Sequence, residues 1–122
     1  DTDPLLELQS LPRLRNLYLY NNMLKDVDSL IDLPSLSVLL LSSNQIETIT
    51  EIGKLEGLTR LSLNSNFIYK LSGLQQLTNL RHLDLTENRI CDLRPIESLR
   101  NLKELRLQSN HLLKLSSQYL LL

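Results

Sequence analysis

Three side chains invite a catalytic reading. Ser62, His82 and Asp84 supply the hydroxyl, imidazole and carboxylate that a nucleophile, a general base and its orienting acid require. Ser62 and Asp84 stand 22 residues apart, with His82 two before Asp84, so all three share one face if the two segments are equivalent strands. On one strand, however, His82 and Asp84 would lie roughly 7 Å apart, beyond the direct hydrogen bond that a base and its orienting group need. An open sheet face also offers no oxyanion hole and no shelter from water. The other reactive groups are isolated. Cys91 is the single cysteine, His111 has no cysteine or histidine cluster beside it, and Gly53, Gly57 and Gly73 do not gather into a phosphate loop. No catalytic, metal or cofactor site is expected, and the chain is not expected to be an enzyme.

The elements that must position these residues are written in the leucines. The chain of 122 residues holds 35 leucines and no alanine or tryptophan. A helical bundle would use alanine freely as its best helix former, so one core volume is being filled repeatedly by one side chain. The charges nearly cancel, 13 basic against 14 acidic, and leave none of the basic footprint of a nucleic-acid binder. The longest apolar runs, Val38 to Leu41 and Tyr119 to Leu122, fall far short of the roughly 20 residues that span a bilayer. Neither nucleic acid nor a membrane is expected as a partner. A single cysteine and the lack of any Asn-x-Ser/Thr sequon point to a cytoplasmic or otherwise intracellular location.

Asn22, Asn44, Asn66, Asn88 and Asn110 recur every 22 residues. Before them come the pairs Leu17/Leu19, Leu39/Leu41, Leu61/Leu63, Leu83/Leu85 and Leu105/Leu107, and, earlier still, Leu14, Leu36, Leu58, Leu80 and Leu102. After them, apolar residues follow at offsets of two, five, eight and eleven, as in Leu24, Val27, Leu30 and Leu33, with Gln118 the one broken slot. No insertion or deletion interrupts the five units. The expected division is one repeat domain over 1–122, with a partial repeat at 1–13, full repeats at 14–35, 36–57, 58–79 and 80–101, and a degenerate last repeat at 102–122. No polar cap is visible at either end, so the chain reads as a fragment of a longer protein.

The Leu-x-Leu step has period two and puts both side chains on one face of a short strand. The later spacings of two and three suit a 3-10 or irregular return rather than a full helix, for which 22 residues leave no room. Each unit is thus one narrow coil that buries its leucines only against its neighbours. Strands line the thinner side, so the stack curves with the strands concave. The asparagine follows each strand where the chain turns inward. Its amide is expected to satisfy backbone groups of its own and the next coil, forming a structural ladder of five.

The pattern Leu-x-x-Leu-x-Leu-x-x-Asn-x-Ile-x-x-Ile-x-x-Leu-x-x-Leu resembles the 22-residue leucine-rich repeats, the subfamily typified by a regulatory subunit of protein phosphatase 1. Bacterial internalins share this repeat length, and Asn88 to Ile96 is the stretch most like them. The resemblance covers essentially the whole chain. It implies an α/β solenoid, an arc with short parallel strands on the concave face and 3-10 or irregular turns on the convex face. It also implies a protein-binding module, as a regulatory or scaffolding subunit.

The partner surface should lie between the leucines. Outward concave positions form three columns: Asn16, Val38, Arg60, His82, Glu104; then Tyr18, Leu40, Ser62, Asp84, Arg106; then Tyr20, Ser42, Asn64, Thr86, Gln108. Tyr18, Tyr20, Val38 and Leu40 make an apolar and aromatic patch of the kind that anchors interfaces. Arg60, His82, Asp84, Glu104 and Arg106 add charges of both signs. Alternatives are an internalin-like bacterial adhesin or effector, secreted or at the surface, and the docking or sensor arm of an enzyme whose catalytic domain lies outside this chain. The end Leu120-Leu121-Leu122 could support end-to-end self-association.

Overall fold

The structure is a computed structural model that describes residues 13–111. The expected partial repeat up to Pro12, the broken slot at Gln118 and the Leu120 to Leu122 end lie outside the described residues.

Five three-residue strands follow the Leu-x-Leu steps: β1 (Asn16–Tyr18), β2 (Val38–Leu40), β3 (Arg60–Ser62), β4 (His82–Asp84) and β5 (Glu104–Arg106). They form one parallel sheet in chain order, and every pairing joins residues 22 apart, as in Leu17↔Leu39 and Leu39↔Leu61. With no insertion between coils, a leucine column has one register that keeps it inside, since a slip of one residue would turn it outward. The central leucines of β1 to β4 are buried, as are Leu41, Leu63 and Leu85 just beyond their strands.

Between strands the chain returns through 3-10 turns at Asp28–Leu30, Thr50–Lys54, Leu74–Gln76 and Arg94–Ile96. The spacing of three is also a hydrogen-bond pattern. In the third coil the N–H groups of Leu74, Leu77 and Leu80 donate to the carbonyls of Leu71, Leu74 and Leu77 at 3.1, 3.0 and 3.1 Å. The same chain of bonds links Val27, Leu30, Leu33 and Leu36, then Ile49 to Leu58, then Leu93 to Leu102. Side chains three apart eclipse in such a spiral. A single stripe of Leu, Ile and Val therefore faces the core, and all of these residues are buried.

Two backbone features tie strand to return. A residue with φ between 55° and 60° stands immediately before each asparagine: Asn21, Ser43, Ser65, Glu87 and Ser109. None is glycine, although the left-handed conformation costs an ordinary residue about 1–2 kcal/mol. On the convex side Gly73 has φ 110°, and a Cβ there would stand 2.6 Å from the Thr50 carbonyl oxygen. The second and third coils approach each other too closely at this point for any side chain.

Candidate functional site

The asparagines hold the concave rim in place. The Asn66 amide donates to the Leu63 carbonyl of its own coil at 2.9 Å and to the Leu41 carbonyl of the coil before at 3.1 Å. Its oxygen accepts the Ile46 N–H, also in the coil before, at 3.1 Å. Asn88 repeats the set with Leu85, Leu63 and Ile68, and Asn44 with Leu41, Leu19 and Leu24. The side chains of Asn44, Asn66, Asn88 and Asn110 thus bind their own and the preceding coil, not the next one, whereas the Asn22 amide donates to Tyr20 of its own coil. The inward turn carries the side chain back towards the strand it has just left and the coil behind it. Asn44, Asn66 and Asn88 are buried, whereas Asn22 is exposed and Asn110 half-buried. Successive asparagines share acceptors: the Leu41 carbonyl receives amides from both Asn44 and Asn66, and the Leu63 carbonyl from both Asn66 and Asn88.

On this frame the concave columns stand in register. Tyr18 and Tyr20 are 56% and 49% exposed, with ring centroids 6.5 Å apart, and Tyr18 pairs across the sheet with half-buried Leu40. Asn16 pairs with half-buried Val38 in the neighbouring column. A shallow depression of about 230 Å³ follows, lined among others by Leu40, Arg60, Ser62, His82, Asp84 and Arg106.

The charges here fall into two groups. Glu104 accepts a hydrogen bond from Arg106 at 3.2 Å and stands 3.6 Å from His82 Nδ1. That hydrogen bond, then the Arg106 charge, with smaller help from His82 and Arg60, holds the Glu104 carboxyl below the ordinary carboxylate range. The distance from His82 Nδ1 exceeds hydrogen-bond reach, so this buried ring nitrogen has no hydrogen-bond partner and meets Glu104 only electrostatically, when protonated. Arg60 and Asp84, by contrast, join no ion pair among the described residues. One Asp84 oxygen accepts the Thr86 N–H at 3.0 Å.

The Ser62, His82, Asp84 constellation does not assemble. Ser62 donates its hydroxyl to Asn64 Oδ1 at 2.7 Å, and the carboxylate facing His82 is Glu104 on the next strand. Strand neighbours in register lie closer than residues two apart on one strand. Among the described residues no group of three or more His, Cys, Asp or Glu could hold a metal ion, and no helix is long and apolar enough to cross a membrane. Cys91 is exposed and free.

Residues beside the strands escaped the column reading. Met23, Phe67 and Tyr69 are the other large exposed apolar side chains among the described residues; Met23 and Phe67 immediately follow an asparagine and Tyr69 lies three residues after one. Arg89 stacks 4.8 Å from the Phe67 ring centre and Lys70 lies 5.9 Å from that of Tyr69. The signal was present in the position after each asparagine, which carries Met23, Gln45, Phe67, Arg89 and His111.

A family model described as "Leucine Rich repeats (2 copies)" matches residues 12–54 and 56–98. Among solved structures, the internalin inlF of Listeria monocytogenes is 31% identical with a TM-score of 0.86, over 93% of this chain and 33% of that one. Internalin C2 of the same species is 33% identical with a TM-score of 0.87, over 94% of this chain and 51% of its own. A Leptospira interrogans leucine-rich repeat protein is 33% identical with a TM-score of 0.87, over 95% of this chain and 31% of its own. The chain therefore spans from about a third to about half of the length of these structures. No curated protein matches it.

Proposed function

The chain belongs to the leucine-rich repeat family, and from that premise we propose that it is a non-catalytic module that binds another protein on its concave face. The observation that carries this is the pair of half-exposed tyrosines beside Val38 and Leu40, on a sheet whose backbone is bonded coil to coil. Aromatic anchors next to a polar rim are how interface energy is usually concentrated. A rigid sheet loses little conformational entropy on binding. A regulatory or scaffolding role and a cytoplasmic or otherwise intracellular location belong to this proposal.

The test is affinity capture with the full-length protein as bait, read by quantitative mass spectrometry, beside the variant Tyr18→Ala, Leu40→Ala. Specific partners should be depleted in the variant while it still unfolds in one cooperative thermal transition. Partners retained in full by a folded variant overturn the assignment to this face. A second reading, an adhesin or effector of internalin type, is supported by the likeness to two Listeria internalins over more than nine-tenths of the chain. The docking arm of an enzyme has no such observation behind it.

A further inference from the structure

The apolar patch and the two concave-face charges that join no ion pair among the described residues follow one another along the stack. Tyr18 and Leu40 occupy β1 and β2, Arg60 lies on β3 and Asp84 on β4. Beyond them, Glu104 is already held by Arg106 and approached by His82. Arg60 exerts only the smallest of the pulls on Glu104 and Asp84 joins no ion pair among the described residues, so these two are the charges most open to a partner.

We infer that this face selects an extended segment of a partner protein whose alternate residues are apolar, acidic and basic, in that order from β1 towards β4. The inference rests on the concave-face proposal above. Adjacent strands stack about 4.8 Å apart. From the middle of the Tyr18–Leu40 pair, Arg60 thus lies about 7 Å and Asp84 about 12 Å further along the stack, Arg60 one column to the side but lining the same depression as Leu40 and Asp84. Alternate side chains of an extended segment share a face and recur about every 6.6 Å, which places the second and third at about 6.6 and 13 Å. An apolar side chain resting on Tyr18 and Leu40 thereby brings an acidic neighbour to the Arg60 guanidinium and a basic one to the Asp84 carboxylate. The Thr86 N–H fixes one Asp84 oxygen at 3.0 Å, so that carboxylate is positioned before binding. Either chain direction of the segment keeps the acidic residue in the middle. The order, rather than the net charge, is what the face reads.

The test uses the 122-residue chain and two short amidated, fluorescein-labelled peptides, read by fluorescence polarisation. One carries Leu-x-Glu-x-Lys and the other Leu-x-Lys-x-Glu, with serine and glycine elsewhere. The first should bind about tenfold more tightly, and less so at high salt. The charge-reversed variant Arg60→Glu, Asp84→Lys keeps the net charge and should prefer the second peptide. Equal affinities, no measurable binding of either peptide, or an unchanged preference in that variant overturn the inference. If both peptides bind equally and both are lost in Tyr18→Ala, Leu40→Ala, the charge order fails while the concave face stands. If binding persists in that double variant, the concave-face proposal fails with it.

Discussion

Removing the Asn66 amide should cost stability in an amount set by the hydrogen bonds it makes. In Asn66→Ala, the Leu41 and Leu63 carbonyls each lose one donor but keep another, from Asn44 and from Asn88. The Ile46 N–H, bonded to the Asn66 oxygen at 3.1 Å, is left buried with no acceptor in its place. One orphaned buried donor costs about 1–3 kcal/mol. Asn22 is exposed, so Asn22→Ala should cost about 0.5 kcal/mol or less. The double variant Asn44→Ala, Asn66→Ala strips the Leu41 carbonyl of both amides, so its loss should exceed the sum of the single losses by about 1 kcal/mol. The assay is urea unfolding followed by circular dichroism, with each single and double variant compared at one protein concentration. Equal losses at Asn22 and Asn66, or strict additivity of the Asn44 and Asn66 pair, would refute the shared-acceptor reasoning.

Gly73→Ala combines a positive φ with a Cβ 2.6 Å from the Thr50 oxygen and should lower the unfolding midpoint by more than Gly57→Ala, where the nearest contact is 3.2 Å. Thermal melts of the two variants decide it. Ser43 is exposed with φ 59°, so Ser43→Asn, which tolerates that conformation better, should raise stability by about 0.5 kcal/mol in urea unfolding. The Asp92 carboxyl is held down to about 2, first by its side-chain hydrogen bond with Arg94, then by the Arg94 N–H and charge. Its folded value lies below the unfolded one, so any stability it adds is present above the ordinary value of 3.8 and fades as the pH falls towards 2. An NMR carboxyl titration should return towards 3.8 in Arg94→Ala.

The solenoid was legible because its signals are covalent spacings. A leucine pair before each asparagine specifies a strand and its register, and a later spacing of three specifies the 3-10 return that Leu71, Leu74, Leu77 and Leu80 display. Which residues share the concave face followed from the same arithmetic. How their charges divide did not. Arg106 has both Glu104, two residues away on its own strand, and Asp84, its register partner, within reach of a column diagram, and only side-chain conformations decide that it takes Glu104 and leaves Asp84 to the Thr86 N–H. The direction of the asparagine bonds was hidden for a related reason. Sequence spacing is symmetric between the coil before and the coil after, whereas a right-handed backbone with a left-handed residue before each asparagine is not. Phe67 and Tyr69 lie off the strands, where no column was drawn through them.

The backward reach of each asparagine gives the stack a polarity. A coil's inward N–H, such as that of Ile46 or Ile68, finds its acceptor only in the coil that follows. A cut made between coils therefore wounds its two faces differently. The piece ahead of the cut keeps an amide hydrogen with nothing to receive it. The piece behind keeps an asparagine whose side chain can turn to water. Anyone shortening or extending such an array would need to furnish an oxygen at the trailing end, while the leading end asks only for a polar covering.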